Sequence, residues 1–369
     1  VTSVAFHADQ LFFSAPGGIG TYVRELVPAM VQVDPSLDVT LFHAAFPGGR
    51  PEPWMHTFPM EALTQPIRTL YPAWDTVGRP RLPRSLSELD VLHAPSTAGL
   101  PPPGRHQRLV VTVHDLAFKL YPKLFPPAWR TLFGLGLRRA AKHADAIITV
   151  SRNTAEDLVQ ETNVDPSRVH VIPLASWLPA SEGPVEPVLE RLKVSPPYFL
   201  FVGTLEPRKN LVRLLRAYRR AAGSGLPHSL VLAGPMGWGG QALLRELRLA
   251  GPGQVILTGR AEHAELDALY RGASAFVYPS IYEGFGLPVL EAMSRGVPTV
   301  TSNVSSLPEV AGDAALLVDP LSVPEIADAM SRAVEAGESA RLRAAGLARA
   351  ERFSWAETAR LTLEVYQKR

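Results

Sequence analysis

The chain has 369 residues, 46% of them hydrophobic and 20% charged, with no cysteine and a formal net charge of +2. That length asks for two ordinary domains rather than one. Without cysteine there are no disulfides, thiol nucleophiles or Cys-ligated zinc, and so small a charge leaves no electrostatic footprint for nucleic acid.

The N-terminal run Val4-Ala5-Phe6 is followed by His7, Asp9 and Gln10, which reads as a short strand and not as a signal peptide. No apolar run approaches the ~20 residues that span a bilayer, so a cytoplasmic enzyme is expected. Strand-like and helix-like segments then alternate along the whole chain, the pattern of an α/β protein with parallel sheets. In the first half, strands are predicted at 3–7, 38–43, 91–94, 109–114, 146–150 and 169–172, with helices at 20–33, 128–143 and 154–161. The stretch 54–84 is polar and proline-rich and resists assignment. In the second half, strands are predicted at 198–202, 229–233, 255–257, 275–278, 299–301 and 315–318, with helices at 211–222, 241–249, 265–272 and 288–295. Residues 1–175 and 198–354 therefore read as two domains, each with its own sheet. The proline-rich stretch 176–197 reads as the linker between them. Sheets of this kind bind ligands at the carboxyl ends of their strands, so a cleft between two such domains is expected to hold the site.

The run Tyr278-Pro279-Ser280-Ile281-Tyr282-Glu283-Gly284-Phe285-Gly286-Leu287-Pro288-Val289-Leu290-Glu291-Ala292-Met293 carries the most chemistry. A buried strand breaks into a loop with two glycines, and Pro288 sits where a helix begins. Outward-facing amides at such a junction, with the helix dipole behind them, attract anions. Gly284 and Gly286 let a phosphate approach the backbone. Glu283 and Glu291 flank the loop, and carboxylates accept hydrogen bonds from sugar hydroxyls. A phosphate cradle between two hydroxyl acceptors suits a nucleotide sugar. The plainer reading is a surface Glu pair beside a glycine turn.

Three further segments end predicted strands. Gly203-Thr204-Leu205-Glu206-Pro207-Arg208-Lys209-Asn210 puts two adjacent cations before a helix, a diphosphate site or else a solvated basic turn. Gly17-Gly18-Ile19-Gly20-Thr21-Tyr22, preceded by Phe13 to Pro16, opens a helix beside an anion or is a simple helix-entry turn. It lacks the third glycine of the dinucleotide fingerprint, and Tyr22 intrudes. His114 and Asp115 close a third strand; the bland reading is a histidine on a backbone carbonyl and an aspartate capping a turn. Asp9 and His93 are weaker candidates. No Asp-x-Asp and no metal-spaced His/Asp/Glu cluster occurs, so no cofactor and no metal ion is expected, and cationic side chains would take the place of Mg²⁺. The segment 125–142 is basic and amphipathic. It offers a face to an anionic membrane, against the ordinary reading of a helix packed on the first sheet.

The string EGFGLPVLEAM, with glutamates eight positions apart, closely resembles the signature of retaining glycosyltransferases of family 4, and GTLEPRKN resembles a mannosyltransferase-like subset of them. The resemblance implies the GT-B fold, two Rossmann-like domains facing each other across a cleft, with the last helix (355–369) packed back on the first domain. It implies that Glu283 meets donor-sugar hydroxyls, that Glu291 holds the ribose, and that Gly284, Phe285, Gly286 and Leu287 offer amides to the diphosphate. Lys209 matches the family lysine. Most of the family has arginine directly after Gly203; Thr204 stands there, and the cationic role passes to Arg208. Gly17, Gly18 and Gly20 match a loop bordering the donor phosphate and acceptor, His114 matches a histidine beside the donor sugar, and Gly259 and Arg260 fall where the backbone meets the nucleobase. The implied reaction moves a hexose, with GDP-mannose as first choice, to a glycan or lipid-linked acceptor by same-face attack. UDP- and dTDP-sugar donors stay open, as do a sugar-nucleotide epimerase and a silent binding module.

Overall fold

A computed structural model describes residues 2–13, 17–180, 183–249 and 251–368. Contacts divide the chain into two units: one runs to Leu174 and resumes at Ser354, and the other is Ala175–Phe353.

The first unit holds seven strands: β1 (Ser3–His7), β2 (Asp38–Ala45), β3 (Met60–Pro66), β4 (Val91–Ala94), β5 (Arg108–Val113), β6 (Ala146–Thr149) and β7 (Val169–Val171). Their order is β3-β2-β1-β4-β5-β6-β7, and every pair is parallel. The second unit holds β8 (Tyr198–Val202), β9 (Ser229–Ala233), β10 (Val255–Gly259), β11 (Ala275–Tyr278), β12 (Thr299–Ser302) and β13 (Ala315–Val318), in the order β10-β9-β8-β11-β12-β13, again parallel. The central strands β4, β8, β9 and β11 are buried at every residue. Strands covered by helices on both faces have no polar side to alternate with, which is why they read as unbroken apolar runs. In each unit the strand order reverses once, between β1 and β4 and between β8 and β11. A crevice opens at such a reversal, outside the carboxyl ends of the strands.

The unassigned stretch 54–84 contains β3 and the helix Ile67–Val77. β3 is an edge strand with one buried residue, Leu63, and its pairing with β2 supplies what its sequence pattern lacks. The stretch 176–197 is not a bare linker. It carries the helix Glu186–Arg191, whose Leu189 is buried and whose Arg191 pairs with Glu265 at 2.9 Å on the helix His263–Gly272. Proline spacing hid a six-residue helix that starts with a proline in its first turn.

The last helix, Trp355–Gln367, packs on the helix Gly17–Val33 within the first unit. Thr358 donates to the carbonyl of Pro173 at 2.7 Å where it begins. Near its end, the hydroxyl of Tyr366 meets Nδ1 of His93, and Nε2 of His93 meets Thr112 Oγ1 at 2.8 Å. Thr112 in turn meets the Tyr22 hydroxyl at 3.0 Å. Thus β4, β5 and both helices share one buried polar chain. Burial, with His114 nearby, drives the His93 pKa down to about 3.

The neutral imidazole makes this unit sensitive to acid. Below about pH 6.5 the unfolded chain binds a proton that the folded His93 refuses, so stability falls as pH drops from there towards 3. Between pH 6.5 and 5 His93 alone should cost about 2 kcal/mol. Urea unfolding at both pH values, in the wild type and in His93→Gln, measures this; an equal acid loss in the variant would contradict it.

Candidate active site

The crevice between β8 and β11 receives two loops, and both carry charge. After β8 the chain runs through Gly203 and a single 3-10 turn, Pro207–Lys209, into the helix Leu211–Gly223. After β11 it runs through 279–286 into the helix Leu287–Ser294. Asn210 ties them: it takes a left-handed conformation at φ 61°, and its side-chain amide donates to the carbonyls of Pro279 at 3.0 Å and Pro320 at 2.6 Å. The Ile281 amide donates to the Arg208 carbonyl at 2.9 Å. Ser306 Oγ donates to the carbonyls of Glu283 and Phe285, at 2.9 and 2.8 Å, and fixes the second loop from below.

Two glycines are required by shape. Gly234, after β9, would place a Cβ 2.1 Å from the Gly203 carbonyl oxygen, so only glycine lets these strand ends close up. Gly286 has φ 109° and would put a Cβ 2.8 Å from Leu307. It turns the chain into the helix Leu287–Ser294, where Pro288 has no amide and the Val289 and Leu290 amides donate back to the Gly286 carbonyl at 2.9 and 3.3 Å.

At the centre lies a buried cluster of two carboxylates and two cations. Lys209 Nζ is 2.6 Å from Glu283 Oε1, and Arg208 Nη1 is 2.7 Å from Glu283 Oε2. Arg208 also holds Glu206 at 2.8 Å and donates to the Tyr282 carbonyl at 2.9 Å. The Tyr278 hydroxyl accepts from Lys209 Nζ at 2.5 Å and donates to Glu283 Oε1 at 3.0 Å. Burial alone would raise the Glu283 pKa, but Arg208 and Lys209 overcome it and bring it down to about 2. The same burial, with Arg208 beside it, lowers the pKa of Lys209, and Glu283 and Glu206 work against that. A carboxylate taken out of water is tolerable only when its oxygens are this fully matched.

Glu291 stands apart from that cluster. Its Oε1 accepts from Trp177 Nε1 at 2.6 Å and its Oε2 from the Tyr270 hydroxyl at 2.8 Å. Burial raises its pKa, against the pull of these donors and Arg295. Thr204 and Gly203 border the β8 loop, half-buried; Gly259 (φ 70°) and Arg260 are exposed at the end of β10.

The remaining predicted residues belong to the first unit. Gly17, Gly18 and Gly20 form the first turn of the helix Gly17–Val33, with Gly17 and Gly18 exposed, and Ser14, Ala15 and Pro16 lie outside the described residues. Tyr22, which spoils the dinucleotide fingerprint, packs edge-on against His114 with ring centroids 5.0 Å apart. His114 Nε2 lies 2.9 Å from the Pro95 carbonyl oxygen. A carbonyl can only accept, so the ring proton sits on Nε2 and Nδ1 is left as an acceptor. Burial pushes this pKa down to about 4, against the Pro95 carbonyl and Asp115, so the ring is neutral at pH 7. Asp115 caps its turn by accepting from the Ala117 amide at 3.0 Å. Asp9 is committed as well: it accepts the Ala44 amide at 2.6 Å and sits 3.0 Å from His7 Nε2.

Sequence reasoning passed over four groups that set this geometry. Glu206 and Tyr278 lie inside the quoted motifs, and only side-chain contacts give them a part. Trp177 fell in the supposed linker, and Tyr270 on a helix with no motif. A polar residue closing a buried strand, as Tyr278 does, is the one signal that was legible.

Two family profiles divide the chain: residues 16–175 match Glycosyltransferase Family 4, and residues 189–347 match Glycosyl transferases group 1. The O-antigen chain mannosyltransferase B of Escherichia coli is 36% identical over 272 residues, 72% of this chain and 71% of that protein. The serotype-specific mannosyltransferase WbdA of Escherichia coli is 32% identical over 289 residues, 74% of this chain but 35% of that protein's length. Among solved structures, a sucrose-phosphate synthase from Thermosynechococcus elongatus aligns with a TM-score of 0.76 over 100% of this chain and 98% of that one, at 20% identity, and shows the fold alone. The chain belongs to glycosyltransferase family 4, has the GT-B fold and is a glycosyltransferase.

Proposed function

We propose that this enzyme transfers mannose from GDP-mannose to a hydroxyl of a growing glycan, with retention of configuration and without a metal ion. The observation that carries the reading is the charge cluster at the β8/β11 reversal, where Arg208 and Lys209 are held together on Glu283. The similarity to proteins named mannosyltransferases supports mannose, and GTLEPRKN supports the same choice.

In this reading the donor diphosphate takes over Arg208 and Lys209, and Glu283 turns its freed oxygens to the sugar hydroxyls. Glu206 stays on Arg208 and keeps its fork aimed. The amides of Gly284, Phe285, Gly286 and Leu287 add donors at a helix N-terminus, and Glu291 takes the ribose. His114 Nδ1 accepts a sugar hydroxyl. Gly17, Gly18 and Gly20, with Asp115 after β5, border the phosphate and acceptor, and backbone at Gly259 and Arg260 meets the base. The acceptor oxygen attacks C1 from the face the phosphate leaves. The C1–O bond breaks with its electron pair on the β-phosphate oxygen, and that oxygen takes the acceptor proton. Charge grows on the leaving phosphate, so the two cations act most strongly in the transition state.

A peripheral membrane contact fits the same protein. On the helix Pro127–His143, Arg130, Arg138 and Lys142 lie on one stripe along a groove of about 900 Å³, with Leu137 and Phe118 in its lining and Trp129 exposed beside it. Glu161 in the same lining is paired with Lys119 at 2.8 Å, so the groove presents a net surplus of cations, which with the exposed tryptophan suits an anionic lipid surface, and so a lipid-linked acceptor. Among the described residues no helix is long and apolar enough to cross a membrane.

Nucleotide release from GDP-mannose, UDP-glucose, UDP-GlcNAc and dTDP-rhamnose tests the donor. GDP-mannose alone should be hydrolysed slowly, with no loss in EDTA, and release of UDP or dTDP instead would overturn that choice. Lys209→Ala should lower kcat about 10²–10³-fold with donor affinity little changed; weakened binding at unchanged kcat would contradict its role. Trapping a covalent glycosyl-enzyme would rule out same-face attack. In vesicle sedimentation at low salt, each of Arg130→Glu, Arg138→Glu and Lys142→Glu should weaken binding to anionic vesicles by about 1 kcal/mol or more. A wild type that stays in the supernatant ends the membrane reading.

A further inference from the structure

Two buried hydrogen bonds, one from Lys209 and one to Glu283, meet at the hydroxyl of a residue with no assigned part in the reaction. We propose that Tyr278 is a positioning residue: its hydroxyl holds the Lys209 ammonium at the carboxyl end of β11 while Glu283 exchanges that ammonium for the donor sugar. The inference rests on the transferase reading above.

Tyr278, Lys209 and Glu283 are mounted on elements of different rigidity. Tyr278 closes β11 and is fully buried, with its ring stacked near Phe201 and Phe276 at centroid distances of 5.6 Å. Glu283 sits five residues further on, in the loop. A group on a packed strand is held more rigidly than one on a loop. Lys209 has two acceptors in this cluster, Glu283 Oε1 at 2.6 Å and the Tyr278 oxygen at 2.5 Å. Glu283 must release lone pairs if it is to accept sugar hydroxyls. Lys209 has four rotatable stem bonds and would then be free to follow it. The Tyr278 oxygen keeps the ammonium in place until a phosphate oxygen arrives. The same hydroxyl donates to Glu283 Oε1 at 3.0 Å, so it also fixes the starting position of the carboxylate.

The exchange has a signature that packing alone would not give. An oxygen that accepts from an ammonium favours its charged form. The groups facing Lys209 are Glu283, Arg208, Glu206 and Tyr278. Tyr278→Phe keeps the ring and the strand, removes one acceptor and leaves the three charges. Lys209 should then titrate at lower pH than in the wild type.

The test uses the full-length protein with 15N-labelled lysine, Lys209 being assigned from the signal lost in Lys209→Arg. Tyr278→Phe should shift the Lys209 Nζ titration downward, lower kcat for nucleotide release by about ten- to a hundredfold and leave the donor KM within twofold. An unmoved Lys209 titration overturns the proposal, as does a downward shift with unchanged kcat. Loss of kcat tracking a lowered Tm would also overturn it, as a purely structural effect; Tyr278→Met, which removes the hydroxyl and the ring, marks that extreme. A wild type that releases no nucleotide from any donor, with the titration still shifted, would sink the transferase reading and leave the Tyr278–Lys209 contact standing.

Discussion

The charge of Glu283 is the constraint around which the second unit is arranged. Its side chain has almost no access to water, yet burial has not made it neutral: its pKa is brought down to about 2. Removing a carboxylate from water costs several kcal/mol unless every oxygen is matched. Arg208, Lys209 and Tyr278 match them, Asn210 fixes the turn that delivers the two cations, and Ser306 fixes the loop that delivers the glutamate. The parallel strand order places those loops side by side, because the only crevice in such a sheet opens where the order reverses.

A preorganised pair of cations is expensive to hold and useful for that reason. Left alone, Arg208 and Lys209 would repel each other in a buried setting. Glu206 and Glu283 offset this, so the two cations are held in fixed places by the protein's own carboxylates. Preorganisation of this kind lowers the reorganisation needed when charge develops in a reaction. Glu291 solves the same problem differently: two neutral donors, Trp177 and Tyr270, meet its oxygens, and its pKa is raised where that of Glu283 is lowered. Two glutamates eight positions apart thus sit in opposite electrostatic settings, which fits them for different partners.

The first unit spends its buried polar groups on itself. Asp9 is committed to the Ala44 amide, and His93 to Tyr366 and Thr112. His114 differs: Pro95 fixes its tautomer and Tyr22 its ring plane, and Nδ1 is left as an acceptor. Of the polar residues that close strands in this unit, it is the one whose chemistry best suits a ligand hydroxyl.

Much of this was legible in the sequence. Apolar runs located β1, β4, β8, β9 and β11 to the residue, because strands buried on both faces carry no other signal, and the short apolar run of the edge strand β13 located it as well, although its Leu317 is exposed. The loops bearing Arg208, Lys209 and Glu283, and the helix start that leads to Glu291, were legible because glycine and proline punctuate them. What stayed hidden was whatever depends on a neighbour far along the chain. β3 is too polar to announce itself and exists through pairing with β2. The helix Glu186–Arg191 is held by residues about 75 positions away. The same holds for the partners of the charged groups: no spacing rule says that Tyr278 lies between Lys209 and Glu283, or that Trp177 reaches Glu291. Local sequence determined which groups stand at the strand ends. Only the packing of the sheet decided which of them touch, since a buried charge takes its state from neighbours that the chain brings together only when folded.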